Sequence, residues 1–260
     1  MHTNNKQASF FSPLNTYFDA IFVITMEQAE ARQNSIKKHM EGLNYAFWPA
    51  TDKNKLDPSI LSDTRYYDDE KHRNIKRTHR SMTLAEYACA SSHRSIYEHM
   101  LAKNLSRVLI FEDDAIPNVD VLKHFTERMS TLSTNWDVVL FDYYDCHYES
   151  VTSYLKQGLY KLYHKLGISN WQKVPLSLIN NMLMQDYNTD FYRAGRLSGS
   201  HAYCLTLNAA KHYANFQSPV VLQPDRVFYY YQAEHPLNVF ACKQAMFLRG
   251  EESNTSQIQQ

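Results

Sequence analysis

The run RVLIFEDDAIP, Arg107 to Pro117, constrains the fold more than any other stretch of the chain. Its apolar residues show no polar alternation, so a strand built from them has to be covered on both faces, as in the middle of a sheet layered between helices. The run ends abruptly in Glu112, Asp113 and Asp114. Acids at the carboxyl end of a central strand stand where open α/β sheets bind their ligands. Three together call for a cation, and oxygen donors suit Mg²⁺ or Mn²⁺, whose shell phosphate oxygens commonly complete. Taken alone, the triplet also fits an acidic turn that merely closes a strand.

The flanking sequence supplies partners for that strand. AIFVIT (Ala20 to Thr25) reads as a buried strand, Glu27 to Glu41 as a helix stopped by Gly42, and Tyr45 to Thr51 as a second strand. Asp52 to Arg80 is polar and reads as a long loop, locally basic in EKHRNIKRTHR. Helices are expected at Thr83 to Lys103, Val119 to Leu132 and Asn208 to Phe216, and strands at Trp136 to Tyr144, Ser198 to Thr206, Val227 to Tyr231 and Val239 to Ala241. Strands alternating with helices predict an α/β fold with a mostly parallel central sheet. Residues 1–260 are expected to form one domain. Within it, 145–197 is rich in Tyr, Leu and Lys and reads as an inserted helical subdomain on the acceptor side, and 250–260 reads as a flexible tail.

Lys plus Arg equals Asp plus Glu at 27 each, which argues against nucleic acid as a partner. No apolar stretch reaches the roughly 20 residues of a membrane span, and the N-terminus lacks the plan of a secretory signal, so a cytoplasmic location is expected. The cysteines Cys89, Cys146, Cys204 and Cys242 are scattered and read as reduced thiols. With only 6 glycines there is no glycine-rich phosphate loop.

Several separate stretches together resemble glycosyltransferase family 25, whose members include bacterial lipopolysaccharide galactosyltransferases and collagen galactosyltransferases. They are VITMEQAEARQNSI, FWPATD, TLAEYACASSH, LIFEDDAIP, SGSHAYCLTLNAAKHY, the PD of LQPDRVF and the terminal SNTSQI. Their order and spacing carry the resemblance, and TLAEYACASSH is its most specific piece. Asn208-Ala209 departs from the family's usual Gly-Ala helix start. The resemblance implies a GT-A-like nucleotide-sugar-binding fold and an inverting transfer of a hexose, galactose from UDP-galactose, onto a glycan such as lipooligosaccharide or another lipid-linked or surface saccharide. It also implies Mn²⁺ or Mg²⁺ held by the acidic triplet against the donor diphosphate.

Side chains alternate along a strand, so Glu112 and Asp114 should share a side while Asp113 points away. Asp114 is expected to ligate the metal directly, with Glu112, and with Asp225 as a further ligand; Glu112 and Asp113 could also meet the ribose. For the base, Asp225 and Asp142 both stand where a carboxylate could take the acceptor's proton, and sequence does not separate them. Glu86 is a further catalytic candidate, although Thr83 to Glu86 is also a capping box. Ser92 and His93 follow on the same helix as donor contacts, with a buried structural histidine as the alternative. Arg32 is positioned to meet a diphosphate, with surface arginine as the alternative, and Asp52 to read the nucleoside or close a turn. His201, flanked by Ser198, Gly199 and Ser200, reads as a donor contact, a third metal ligand or a core histidine. Tyr143, Tyr144, Trp171 and Tyr192 could stack on acceptor sugars, and the basic run from Lys71 to Arg80 could close over the diphosphate or stay solvated. Residues 154–173 carry four Lys and no acid, with Leu155, Leu159, Leu162 and Leu166 at helical spacing. They read as a core stripe or as a peripheral contact with an anionic membrane on its inner, cytoplasmic face. Two other classes would use the same acids: a nucleotidyltransferase or phosphoesterase, and a non-catalytic sugar-nucleotide-binding module.

Overall fold

The strand Arg107–Glu112 is buried on both faces, as its unbroken apolar run requires. Around it, the computed structural model describes residues 10–233 and 235–250. In chain order these form α1 (Ser12–Tyr17), β1 (Ala20–Thr25), α2 (Glu30–His39), β2 (Ala46–Pro49), α3 (Asp69–Lys76), α4 (Leu84–Lys103), β3 (Arg107–Glu112), β4 (Ala115–Pro117), α5 (Val119–Leu122), α6 (Phe125–Ser130) and β5 (Val138–Leu140). Then follow α7 (Val151–Leu166), α8 (Leu176–Asn180), β6 (Gln185–Asp186), β7 (Phe191–Arg193), β8 (Ala202–Thr206), α9 (Leu207–Phe216), α10 (Pro224–Tyr230), β9 (Val239–Cys242) and β10 (Phe247–Arg249). The terminal SNTSQI motif and the tail from residue 251 lie outside the described residues.

The fold is α/β. Its eight-stranded sheet has the order β2-β1-β3-β8-β5-β9-β7-β6. Strands β2, β1, β3, β5, β9 and β6 run one way, and β8 and β7 run against them. Period-two alternation divides the core. Phe22, Ile24, Val108, Ile110, Tyr203 and Leu205 face one layer, filled from α4 by Ile96, Tyr97 and Met100 and from α9 by Ala209, Ala210 and Tyr213. Ile21, Val23, Leu109, Phe111, Ala202 and Cys204 face the other, filled by Leu14, Ile36, Leu122 and Phe125. A separate antiparallel pair, β4 with β10, sets Arg249 opposite Ala115 beside the acidic triplet.

Helix α4 starts where its sequence signal places it. The Thr83 side chain accepts from the Glu86 N–H, the Glu86 carboxylate accepts from the Thr83 N–H, and left-handed Asn104 ends the helix. Several expectations are corrected. The loop expected from Asp52 to Arg80 contains α3, capped by Asp68, with acids in its first turn and bases in its last; the dipole and cap favour this helix without an apolar stripe, since His72 is its buried residue. In place of the strand expected at Val227 to Tyr231, Val227 to Tyr230 belong to α10, which Pro224 opens, and Tyr231 begins a short 3-10 turn; the β-branched and aromatic residues pack as a helix against the core. The helix expected over Val119 to Leu132 is two short ones, and the strand expected over Trp136 to Tyr144 is reduced to β5. Residues 145–197 supply helices α7 and α8 but also β6 and β7, which join the main sheet. No helix among the described residues is long and apolar enough to cross a membrane.

Candidate functional site

The antiparallel insertion of β8 beside β3 builds the site. Phe111 pairs with Ala202, and one step further the Glu112 N–H donates to the His201 carbonyl at 2.8 Å. The carboxyl end of β3 therefore meets the chain entering β8, and Glu112 and His201 become cross-strand neighbours. His201 Nδ1 lies 3.3 Å from Glu112 Oε2 and 3.5 Å from Asp114 Oδ1. Both Asp114 Oδ1 and His201 Nδ1 are buried without a hydrogen-bond partner, an arrangement that costs free energy unless something else satisfies them. Glu112, Asp114 and His201 each offer a ligand atom within 4.8 Å of the others. A single ion with bonds of about 2.1–2.2 Å closes such a spacing after small side-chain movements, and two oxygens with one imidazole fit Mn²⁺ better than Mg²⁺. Asp225, expected as a ligand, is not part of this cluster.

Charges around the cluster are set by burial and pairing. Burial opposes ionisation of Glu112, but His201, His93 and the Ser200 hydroxyl outweigh it and hold the carboxyl at about 2. Ser200 Oγ donates to Glu112 Oε1 at 2.8 Å. Burial would lower the His201 imidazole, yet Asp114 and Glu112 raise it to about 10. Arg249 Nη2 meets Nε2 of the same ring, which requires that nitrogen to accept and so favours the neutral imidazole. The carboxylates and the guanidinium thus pull the ring in opposite directions, and a cation in place of the Nδ1 proton satisfies both. Tyr144 stacks on His201 and carries the Arg249 guanidinium over its own ring at 4.6 Å.

Asp113, in the turn just past β3, points away from the cluster toward the end of β1. It accepts from Thr25 Oγ1 at 2.7 Å and from Arg32 at 2.8 Å, fixing that guanidinium at the end of β1. Burial pushes the Asp113 carboxyl up, an effect these two partners offset in part.

A cavity of about 700 Å³ opens over the cluster. Among the residues expected from sequence, Arg32, Asp52, Glu86, Ser92, His93, Glu112, Asp113, Asp114, His201 and Asp225 all line it, whereas Asp142 does not. Tyr144 alone of the four aromatic candidates reaches it. Several lining residues are engaged in structure. Ser92 Oγ accepts from the Thr51 N–H and donates to the Ala88 carbonyl. Asp52 caps the turn Lys53–Lys55. His93 is buried and bonded through Nδ1 to the Tyr203 hydroxyl, and burial pushes its pKa down to about 4, so the ring is neutral. Asp225 accepts from the Gly199 N–H through Oδ2 at 3.3 Å. Gly199 has φ +101°, and a Cβ there would press on Tyr144 at 3.0 Å, so glycine is needed at this corner.

Sequence reading missed part of the basic rim. Lys53, Lys76, Arg80, Arg226 and Arg249 line the cavity together with Arg32. Lys76 and Arg80 lay in a run already noted as basic. Arg249 gave no local signal, because it reaches the site only through the pairing of β10 with β4.

The chain has relatives among known families and proteins. The sequence model described as Glycosyltransferase family 25 (LPS biosynthesis protein) matches residues 18–228. A Glycosyltransferase 25 family member of Aedes aegypti is 29% identical over 134 residues, covering 46% of this chain and 20% of that protein. A Probable inactive glycosyltransferase 25 family member 3 of Rattus norvegicus is 31% identical over 141 residues, covering 49% and 23%. The chain thus spans about a fifth of the length of the curated relatives it matches. Among solved structures, the apo form of mouse Xyloside xylosyltransferase 1 aligns with 91% of this chain and 78% of its own at 11% identity and a TM-score of 0.41, too loose a likeness to bear on fold or activity.

Proposed function

This chain belongs to glycosyltransferase family 25, and from that premise we propose that it is a metal-dependent inverting hexosyltransferase, moving galactose from UDP-galactose to a glycan acceptor such as a lipid-linked or surface saccharide. The observation that carries the reading is the Glu112, Asp114 and His201 cluster, with its two orphaned buried donor atoms, at the floor of a cavity with a basic rim. Those three residues would hold Mn²⁺ in preference to Mg²⁺, and the ion would neutralise charge developing on the leaving diphosphate. Arg32, held by Asp113, and Lys76 and Arg80 from the opposite wall supply cations for the same diphosphate.

Asp225 is proposed as the base. It lines the cavity at the start of α10, and its contacts are made through Oδ2, which leaves Oδ1 to take the acceptor hydroxyl's proton as that oxygen attacks the anomeric carbon. One relative is named as inactive; the intact donor set at Glu112, Asp114 and His201 favours catalysis here. Calorimetric titration of UDP with and without Mn²⁺ tests the donor site. Metal-dependent binding that Asp114→Ala abolishes supports it, followed by UDP release from a panel of UDP-sugars. A folded protein that binds no UDP under any metal condition overturns it, and release of pyrophosphate or phosphate instead of UDP would select phosphate chemistry.

A further inference from the structure

Helix α7 is turned outside in. At about 100° per residue, Val151, Leu155, Leu159, Leu162 and Leu166 fall within an arc of about 80° on one face. The ordinary rule puts such a stripe against the protein, and here it faces solvent, each residue being between 43% and 77% exposed. The face that packs inward is the polar one. Gln157, buried, donates from Nε2 to the carbonyls of Ile179 and Asn180 at 2.8 and 3.0 Å, and His164 Nδ1 meets the Trp171 carbonyl at 3.1 Å. Tyr160 stacks on Trp171 at 4.1 Å between them. Packing through Gln157 and His164 fixes the helix rotation, so the leucines cannot turn inward without orphaning those groups.

Charge says what the stripe meets. Lys156, Lys161 and Lys165 flank it on the same helix, all exposed, Lys173 follows, and no Asp or Glu occurs from residue 150 to 185. A second copy docked two-fold on this face would bring lysine against lysine with no acid to compensate. An anionic lipid surface accepts both features, acyl chains taking the leucines and headgroups the lysines. We infer that α7 docks this protein on anionic membrane through its outward leucine stripe. The docking face is strapped to the cleft wall: Arg77 donates to the Ser169 carbonyl at 2.9 Å and lies over the Trp171 ring at 4.3 Å, and its neighbour Lys76 lines the cavity. Such seating presents the cleft to an acceptor carried on a lipid, a consequence that rests on the glycosyltransferase reading, whereas the docking does not.

Co-sedimentation with vesicles of phosphatidylcholine, alone or mixed with phosphatidylglycerol, tests the docking. Binding is expected to the mixed vesicles, falling roughly tenfold or more in the double variant Leu155→Glu, Leu162→Glu at an unchanged melting temperature. Lys161→Ser with Lys165→Ser should erase the preference for the anionic lipid while keeping the fold. The inference is overturned if the folded wild type ignores anionic vesicles, if the leucine variant binds them equally, or if sedimentation velocity shows a dimer that the leucine substitutions dissolve. Because UDP titration reads the cavity separately, failure of either result leaves the other interpretable.

Discussion

Both oxygens of Glu86 are occupied: Oε2 accepts from Arg80 Nη1 and the Thr83 N–H, and Oε1 from Arg80 Nη2 and Gln223 Nε2. Burial opposes its charge, but these partners prevail and hold the carboxyl at about 2 against an ordinary 4.5. A carboxylate so saturated is a poor proton acceptor, and its part is to fasten α4, Arg80 and the segment leading into α10 at the rim of the cavity. Because its folded pKa is depressed, the stability it contributes is complete above about 4.5 and drains away as pH falls toward 2. Glu86→Gln should therefore cost about 1–3 kcal/mol at pH 7 by urea denaturation, with the gap to wild type narrowing as the pH is lowered through that window. A gap independent of pH would refute the assignment. The two rival bases separate in the same residue-by-residue way. Asp225→Asn should lower kcat by roughly 10²–10⁴ while UDP affinity holds, and Asp142→Asn, outside the cavity, should change kcat only a few-fold; the reverse pattern in a turnover assay would exchange their roles.

Among the elements, α4 and β8 are joined through a buried hydroxyl. The Tyr203 hydroxyl of β8 joins His93 Nδ1 at 2.7 Å and the Tyr97 hydroxyl at 2.8 Å, both from α4, inside a layer closed to water. Removing that oxygen in Tyr203→Phe strands two buried polar groups and should cost about 1–3 kcal/mol in denaturant unfolding; a neutral result would mean the triad contributes nothing net. The same pair shows how far sequence reaches. The start of α4 was legible because a capping box states it in four adjacent residues, and the double-sided burial of β3 because its apolar run is unbroken. Helix α3 was not, since its stability comes from Asp68 and from charge placement along a helix almost without apolar residues. Nor was α10, whose Val, Phe and Tyr composition favours strands until tertiary packing decides.

At the scale of the whole molecule, Asp113 and Asp114 point apart as expected, Asp113 to Arg32 and Asp114 to His201, although both stand in the turn just past β3. That His201 stands at the cluster with Asp225 outside it depends on β8 running against β3, a direction no local pattern records. Arg249 was invisible for the same reason, because its neighbours in space are remote in the chain. This reversal of β8 also orders events during synthesis. Glu112 and Asp114 leave the ribosome before everything from β4 to β7, and the His201 imidazole leaves only after it. Until β8 pairs between β3 and β5, the two carboxylates lack the imidazole beside them, so any cation held by all three would be captured only after that pairing.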